Sequence, residues 1–240
     1  MIYCFGDSIT KGTPGVSYLK YLPRGEYKNQ GSGGETVEGI LSPIAHSIKH
    51  KKLNKYIVQV GTNDILLPFL EKSSPKWKKR LRKIDEIKKE GARPSRTELQ
   101  FKKNYQAVID LLKEDDKQIL LINIPVIGED LEHERNYKVE KYNSIIKSVA
   151  EQEGLPLVDF YAWQREMLGE HQSKEHFFIG EDPKQVVFDG FKSVTKTGRR
   201  ALSKKRKLIL TVDGVHLNDA GAKGLAKLVE EEVRKGFGQK

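Results

Sequence analysis

The sequence predicts an α/β fold, with a central parallel sheet of about five strands covered by helices on both faces. Three observations predict it. Short apolar runs recur at 2–5, 56–60, 119–124 and 155–160, with a weaker strand candidate at 26–29, most of them bounded by glycine or proline. The segments between them place apolar residues every three or four positions, the period of a helix packed on one side. Strands that alternate with helices bury both sheet faces and join through right-handed crossovers, which gives a doubly wound, three-layer α/β/α sandwich.

Each element has its own justification. Ile2–Phe5 is a buried strand ending at Gly6, and Tyr18–Leu22 is a short helix stopped by Pro23. Glu26–Asn29 is a weaker strand ahead of the glycine cluster Gly31-Ser32-Gly33-Gly34. Thr36–Lys49 carries Val37, Ile40, Leu41, Ile44 and Ile48 at helical spacing, with Pro43 working against it. Tyr56–Val60 is a strand that stops at Gly61.

Ser74-Pro75 supplies a cap and a first-turn proline for a helix bearing Trp77, Leu81, Ile84 and Ile87, broken by Gly91 and Pro94. Ser95-Arg96-Thr97-Glu98 reads as a capping box for a helix that directs Leu99, Tyr105, Val108, Ile109 and Leu112 to the core. Ile119–Ile124, ending at Pro125, is the strongest strand; Tyr137–Gln152 is a helix and Leu155–Phe160 the fifth strand. Residues 169–208 are polar and basic, and within them Val186-Val187-Phe188 and Leu208-Ile209-Leu210 could pair as a hairpin. Asn218 caps a last helix in which Leu225, Leu228, Val229 and Val233 face inward.

The 240 residues suit one domain over 1–240, with basic insertions at about 71–94 and 169–208. Charge is concentrated there: 71–103 holds 13 Lys/Arg against 5 Asp/Glu, and 192–207 holds 8 Lys/Arg and no acid. Since the whole chain carries +10, the scaffold outside those segments is net acidic. A single cysteine, Cys4, excludes an intrachain disulfide. With no apolar run long enough to span a membrane and no signal peptide, a cytoplasmic location is expected.

Three segments carry chemistry: Gly6-Asp7-Ser8-Ile9-Thr10, Gly61-Thr62-Asn63-Asp64 and Asp213-Gly214-Val215-His216. A serine hydroxyl becomes a nucleophile when a base takes its proton, and His216 is suited to do so near neutral pH. Asp213 can turn back through Gly214 to fix the imidazole tautomer. Asn63, the Ser8 N–H and an N–H of the glycine cluster can serve a developing oxyanion. Ser8 and Asn63 both follow strands, on the edge where such sheets place their sites.

These blocks resemble those of the SGNH hydrolase (GDSL esterase/lipase) superfamily. Gly6–Thr10 matches its first block and puts Ser8 in the nucleophile position; Gly61–Asp64 matches the third, at Asn63; Asp213–His216 matches the fifth. The stretch 29–36 resembles the second block and puts the oxyanion glycine at Gly34, with Gly33 or Gly31 as alternative registers. The resemblance implies a flavodoxin-like fold and a carboxylic ester hydrolase that uses Ser8, Asp213 and His216, with Ser8, Gly34 and Asn63 as the oxyanion hole.

The rivals are an acyltransferase or thioesterase on the same site, or a basic lipid- or nucleic-acid-binding protein with little turnover. No cofactor and no metal are expected. His46 and His50 have a helical i, i+4 spacing but lack an acidic or cysteine partner, and His133, His171 and His176 sit in charged loops. The partner expected is a small-molecule or lipid ester, with contact to an anionic surface through the basic insertions; no recognised nucleic-acid motif accompanies them. The Trp77–Ile87 helix reads either as a helix packed over the domain or as a lid.

Overall fold

The structure, a computed structural model, describes residues 1–50, 54–87, 93–113, 117–169, 179 and 182–236, apart from the side chains of 50 and 84–87. Its strands are β1 (Ile2–Gly6), β2 (Tyr27–Gly31), β3 (Lys55–Gln59), β4 (Gln118–Ile122) and β5 (Leu157–Val158). All pair in parallel, in the order β2-β1-β3-β4-β5. Gly6 lies opposite Gly31 on one side and Gln59 on the other, so three strands end level at the carboxyl edge.

The helices in chain order are α1 (Ser8–Lys11), α2 (Leu41–His50), α3 (Thr62–Ser73), α4 (Pro75–Ile87), α5 (Glu98–Lys113), α6 (Glu134–Glu153), α7 (Phe160–Leu168), α8 (Lys184–Ser193), α9 (Lys196–Lys205) and α10 (Asp219–Gly236). Strand residues alternate between two apolar layers, as the two-residue period of a strand requires. Cys4, Ile57, Leu120 and Ile122 pack with Ile9, Phe160, Leu225 and Val229. Phe5, Tyr56, Val58 and Leu121 pack on the other side with Ile44, Leu70, Phe101, Val108 and Ile146. The expected α/β/α sandwich is therefore what forms.

Several local expectations need correction. Residues 62–73, to which the sequence reading assigns no element, form α3, with Pro68 inside it. Helix α2 begins only at Leu41, which puts Pro43 in the first turn, where a missing N–H is harmless. Thr97, not Ser95, caps α5, its hydroxyl accepting from the Gln100 N–H at 3.1 Å. Leu99 is 79% exposed, and Phe101 is buried in its place. The 186–188 and 208–210 runs do not pair: the first lies in α8 and the second is held by a carboxylate described below. Gly91, His171 and His176 lie outside the described residues.

Candidate active site

The chain leaves β1 for one side of the sheet to form β2, and later returns to form β3 on β1's other side. Diverging connections leave a crevice at the carboxyl ends of β1 and β3, where ligands bind in such sheets. Ser8 and Asn63 lie in the first turns of the helices that follow those two strands.

Local chemistry fixes Ser8. A Cβ at Gly6 would collide with Thr10 Oγ1 and the Gln59 carbonyl oxygen, so only glycine lets β1 turn so closely into α1. Asp7 caps the turn: its Oδ1 accepts from the Ile9 N–H at 2.9 Å and its Oδ2 from Gln59 Nε2 at 3.3 Å. Burial raises the Asp7 carboxyl to about 6 in spite of those bonds.

His216 arrives on a loop closed on itself. Thr211 and Leu217 form an antiparallel bridge, and the Val212 N–H donates to the His216 carbonyl at 2.8 Å. Gly214 takes φ +90° at the bend, a conformation that favours glycine. Asp213 Oδ1 accepts from the N–H groups of Val215 and His216 at 3.0 and 2.8 Å, which aims Oδ2 at the ring. Oδ2 lies 2.6 Å from His216 Nδ1, and His216 Nε2 lies 3.0 Å from Ser8 Oγ. A carboxylate only accepts, so Nδ1 carries the proton and Nε2 is left to accept from the serine hydroxyl.

All three groups are buried. Burial is the largest influence on His216 and pushes its pKa down. The Asp213 charge and hydrogen bond, then Asp7 and Asp189, together outweigh it, and the net shift is upward. For Asp213, burial acts to raise the pKa, but His216 and the two backbone N–H groups bring it below the usual carboxylate value.

Polar donors face the same space. Asn63 Nδ2 donates one hydrogen to the Glu35 carbonyl at 2.9 Å, which orients the amide and leaves its second hydrogen. Gly34 takes φ +75° beside it, and both Gly33 and Gly34 line the cavity. Gly31 does not: it ends β2 and packs against the Lys11 backbone, where a Cβ would collide. Asp64 ties this region together, with Oδ2 accepting from the Val37 N–H at 3.0 Å and Oδ1 from the Ser95 N–H at 2.8 Å. Burial raises its carboxyl, too, to about 6.

Ser8, His216, Asn63 and Gly34 open onto a cavity of about 270 Å3 whose far walls are Leu66, Leu67, Leu70, Trp77, Leu81 and Val186. Helix α4, one of the two basic segments, thus turns Trp77, Leu81 and Arg80 to the cavity and its lysines outward.

Sequence reasoning missed the supports. The loop after β4 has no regular structure, and buried amides satisfy its backbone. Asn143 accepts from the Ile124 N–H at 2.8 Å, Gln164 from Val126 at 2.9 Å and Asn136 from Ile127 at 3.0 Å. That platform carries Glu129, whose Oε1 accepts from the N–H groups of Leu210 and Thr211 and from the Thr211 hydroxyl, while Oε2 accepts from the Ile209 N–H. The only sequence signal was an acid just past the strongest strand.

The second basic segment is also structural in part. Arg206 pairs with buried Asp189 at 2.7 Å and donates to the Val212 carbonyl at 2.7 Å. Arg199 grips Asp219 through two nitrogens, at 2.6 and 2.9 Å. Ser203 Oγ donates to the Thr211 carbonyl at 2.7 Å, and Ser193 Oγ accepts from the Gly15 N–H at 2.9 Å. Helices α8 and α9 therefore clamp the loop that bears His216.

A five-stranded parallel sandwich with a serine, a histidine and an aspartate in hydrogen-bonded series at its carboxyl edge defines the class of SGNH-type hydrolases. The chain belongs to the GDSL-like Lipase/Acylhydrolase family, whose model matches residues 4–223. No curated protein matches it in sequence. Among solved structures it is similar to a member of the lipolytic G-D-S-L family from Veillonella parvula, at 18% identity and TM-score 0.60, covering 96% of each chain. An acetyl xylan esterase superposes at 21% identity and TM-score 0.60, over 97% of this chain and 100% of that one. The lipase/acylhydrolase from Enterococcus faecalis does so at 17% identity and TM-score 0.57, over 98% and 96%.

Proposed function

We propose that this acylhydrolase cleaves carboxylic esters through an acyl-enzyme on Ser8. The observation that carries the reading is the series Asp213 Oδ2–His216 Nδ1, 2.6 Å, and His216 Nε2–Ser8 Oγ, 3.0 Å, facing a cavity lined by amide donors. Ser8 Oγ attacks the ester carbonyl as its proton passes to His216 Nε2. The carbonyl oxygen becomes an oxyanion held by the Ser8 N–H, the Gly34 N–H and Asn63 Nδ2. None of the described residues accepts from those two backbone N–H groups. Collapse expels the alcohol, which takes the proton from His216. Water then repeats the sequence on the acyl-enzyme, releases the acid and restores Ser8.

The apolar walls suit the acyl group. At about 270 Å3 the cavity lies at the small end of ligand sites, which run from about 300 to 1,000 Å3. A short acyl chain is therefore the substrate class, and thioesters of the same acids would present the same carbonyl. A chain-length series of p-nitrophenyl esters, from acetate to palmitate, tests this with wild type and Ser8→Ala. Short esters are expected to be cleaved best, with Ser8→Ala inactive; a palmitate optimum, or activity surviving in Ser8→Ala, would overturn it.

A further inference from the structure

Helix α8 has three stripes, as residues four apart on a helix align. Gln185, Asp189 and Ser193 form the inner one: Asp189 and Ser193 are buried, Gln185 bonds Asp189 at 2.8 Å, and Asp189 and Ser193 hold Arg206 and Gly15. Val187, Phe191 and Val194 form an outer stripe. Lys184, Phe188 and Lys192 form the one beside it.

That outer face is unusual. Val187 is 43% exposed, Phe188 59% and Phe191 75%, so three large apolar side chains stand in water on ten residues of helix, and Val194, just past its end, is 73% exposed. Isolated apolar residues on a surface mean nothing, but a contiguous patch marks an interaction site. The charge around it is mostly positive, since Asp182, just ahead of the helix, is paired with Lys76. Lys184 and Lys192 border the patch, and Lys196 and Arg200 of α9 are exposed beyond them. From 184 to 207 the only acid is Asp189, which is buried and already paired with Arg206.

We infer that the outer face of α8 docks this protein on an anionic lipid surface. Phenylalanine and valine have no polar tip and enter the acyl boundary, while the flanking lysines and arginine meet the head groups. This is the pairing of a large apolar face with basic borders that an interfacial helix requires. Nucleic acid would satisfy the cations and leave Val187 and Val194 in water. Val186, on the other side of the same helix, lines the cavity that holds Ser8 and His216, so the docked face and the cavity share one helix.

Flotation of the full chain with vesicles tests the inference. Phosphatidylcholine alone is compared with phosphatidylcholine mixed with phosphatidylserine, for wild type, Phe188→Ser/Phe191→Ser and Lys192→Glu/Lys196→Glu. Wild type is expected to float with the mixed vesicles and release in high salt. Both double variants are expected to bind at least about tenfold more weakly, because each loses one of the two contributions. Thermal midpoints and p-nitrophenyl acetate hydrolysis equal to wild type establish that the variants remain folded. Hydrolysis and flotation are separate readouts, so an inactive protein that floats leaves docking intact. Failure of wild type to bind mixed vesicles would overturn the inference. So would undiminished binding by the phenylalanine variant, or tight binding to single-stranded DNA that vesicles do not displace.

Discussion

Glu129 takes the backbone N–H and the hydroxyl of Thr211 onto the same oxygen, at 2.8 and 2.7 Å, although 82 residues separate them. The chain from Thr211 to His216 carries the acid and the base, so this carboxylate sets where the imidazole stands. Glu129→Gln turns an N–H donor toward the Ile209 N–H and leaves two donors facing each other. A buried donor without an acceptor costs about 1–3 kcal/mol, or roughly 2–12 °C in a chain of this size. The thermal midpoint is expected to fall by that amount, and kcat is expected to fall with it because Asp213 and His216 shift. Wild-type kcat in a destabilised variant would show that Glu129 supports the fold and not the site.

Asn63 is held by its bond to the Glu35 carbonyl, and its remaining hydrogen is the one that faces the cavity. Asn63→Ala is expected to lower kcat by roughly 10²–10³ while leaving KM near wild type, because the contact strengthens only in the transition state. Steady-state kinetics on p-nitrophenyl acetate check it. A change in KM alone would make Asn63 a binding residue.

Activity should depend on pH with a defined sign. His216 must be neutral to accept a proton, and its pKa is shifted upward on balance. The acid limb of kcat/KM is therefore expected above about 6.5, the ordinary imidazole value, with activity lost as pH falls through it. Stability carries the opposite sign for the same group: the contribution of His216 is complete below about 6.5 and is lost as pH rises through its folded value. Asp213, lowered, contributes above about 3.8 and is lost as pH falls through its folded value. An acid limb at or below the ordinary imidazole value would contradict the assignment.

Leu67 lines the cavity and is only partly buried. Leu67→Trp fills space without opening a void, so the core keeps its density. Acetate esters are expected to remain substrates while butyrate and hexanoate esters lose kcat/KM by about tenfold, within the 1–3 kcal/mol typical of pocket fit. An unchanged chain-length profile would move the acyl group to another part of the crevice.

The candidate site residues were legible because Ser8 and Asn63 follow strands that stop at or just before a glycine and the Asp213–His216 loop bends at one. Gly6, Gly61 and Gly214 announce the turns that expose Ser8, Asn63 and the Asp213–His216 loop, and chain order supplied the fold. What escaped notice depends on contacts remote in sequence. Val186-Val187-Phe188 has strand propensity, yet Asp189 and Ser193 find partners at Arg206 and Gly15 that exist only when the segment is helical. Ser95 matched a capping box, but its N–H is taken by Asp64 from 31 residues away. Glu129 has no local pattern because every group it binds lies 80 residues or more downstream.

Mass spectrometry of the intact protein after exposure to a fluorophosphonate tests the central claim most directly. The reagent phosphonylates only a serine whose proton is removed by an adjacent base. One adduct, mapped by proteolysis to Ser8, is expected in wild type, with labelling slowed by orders of magnitude in His216→Ala. An adduct on another residue, or labelling of Ser8 at the wild-type rate without His216, would contradict the account.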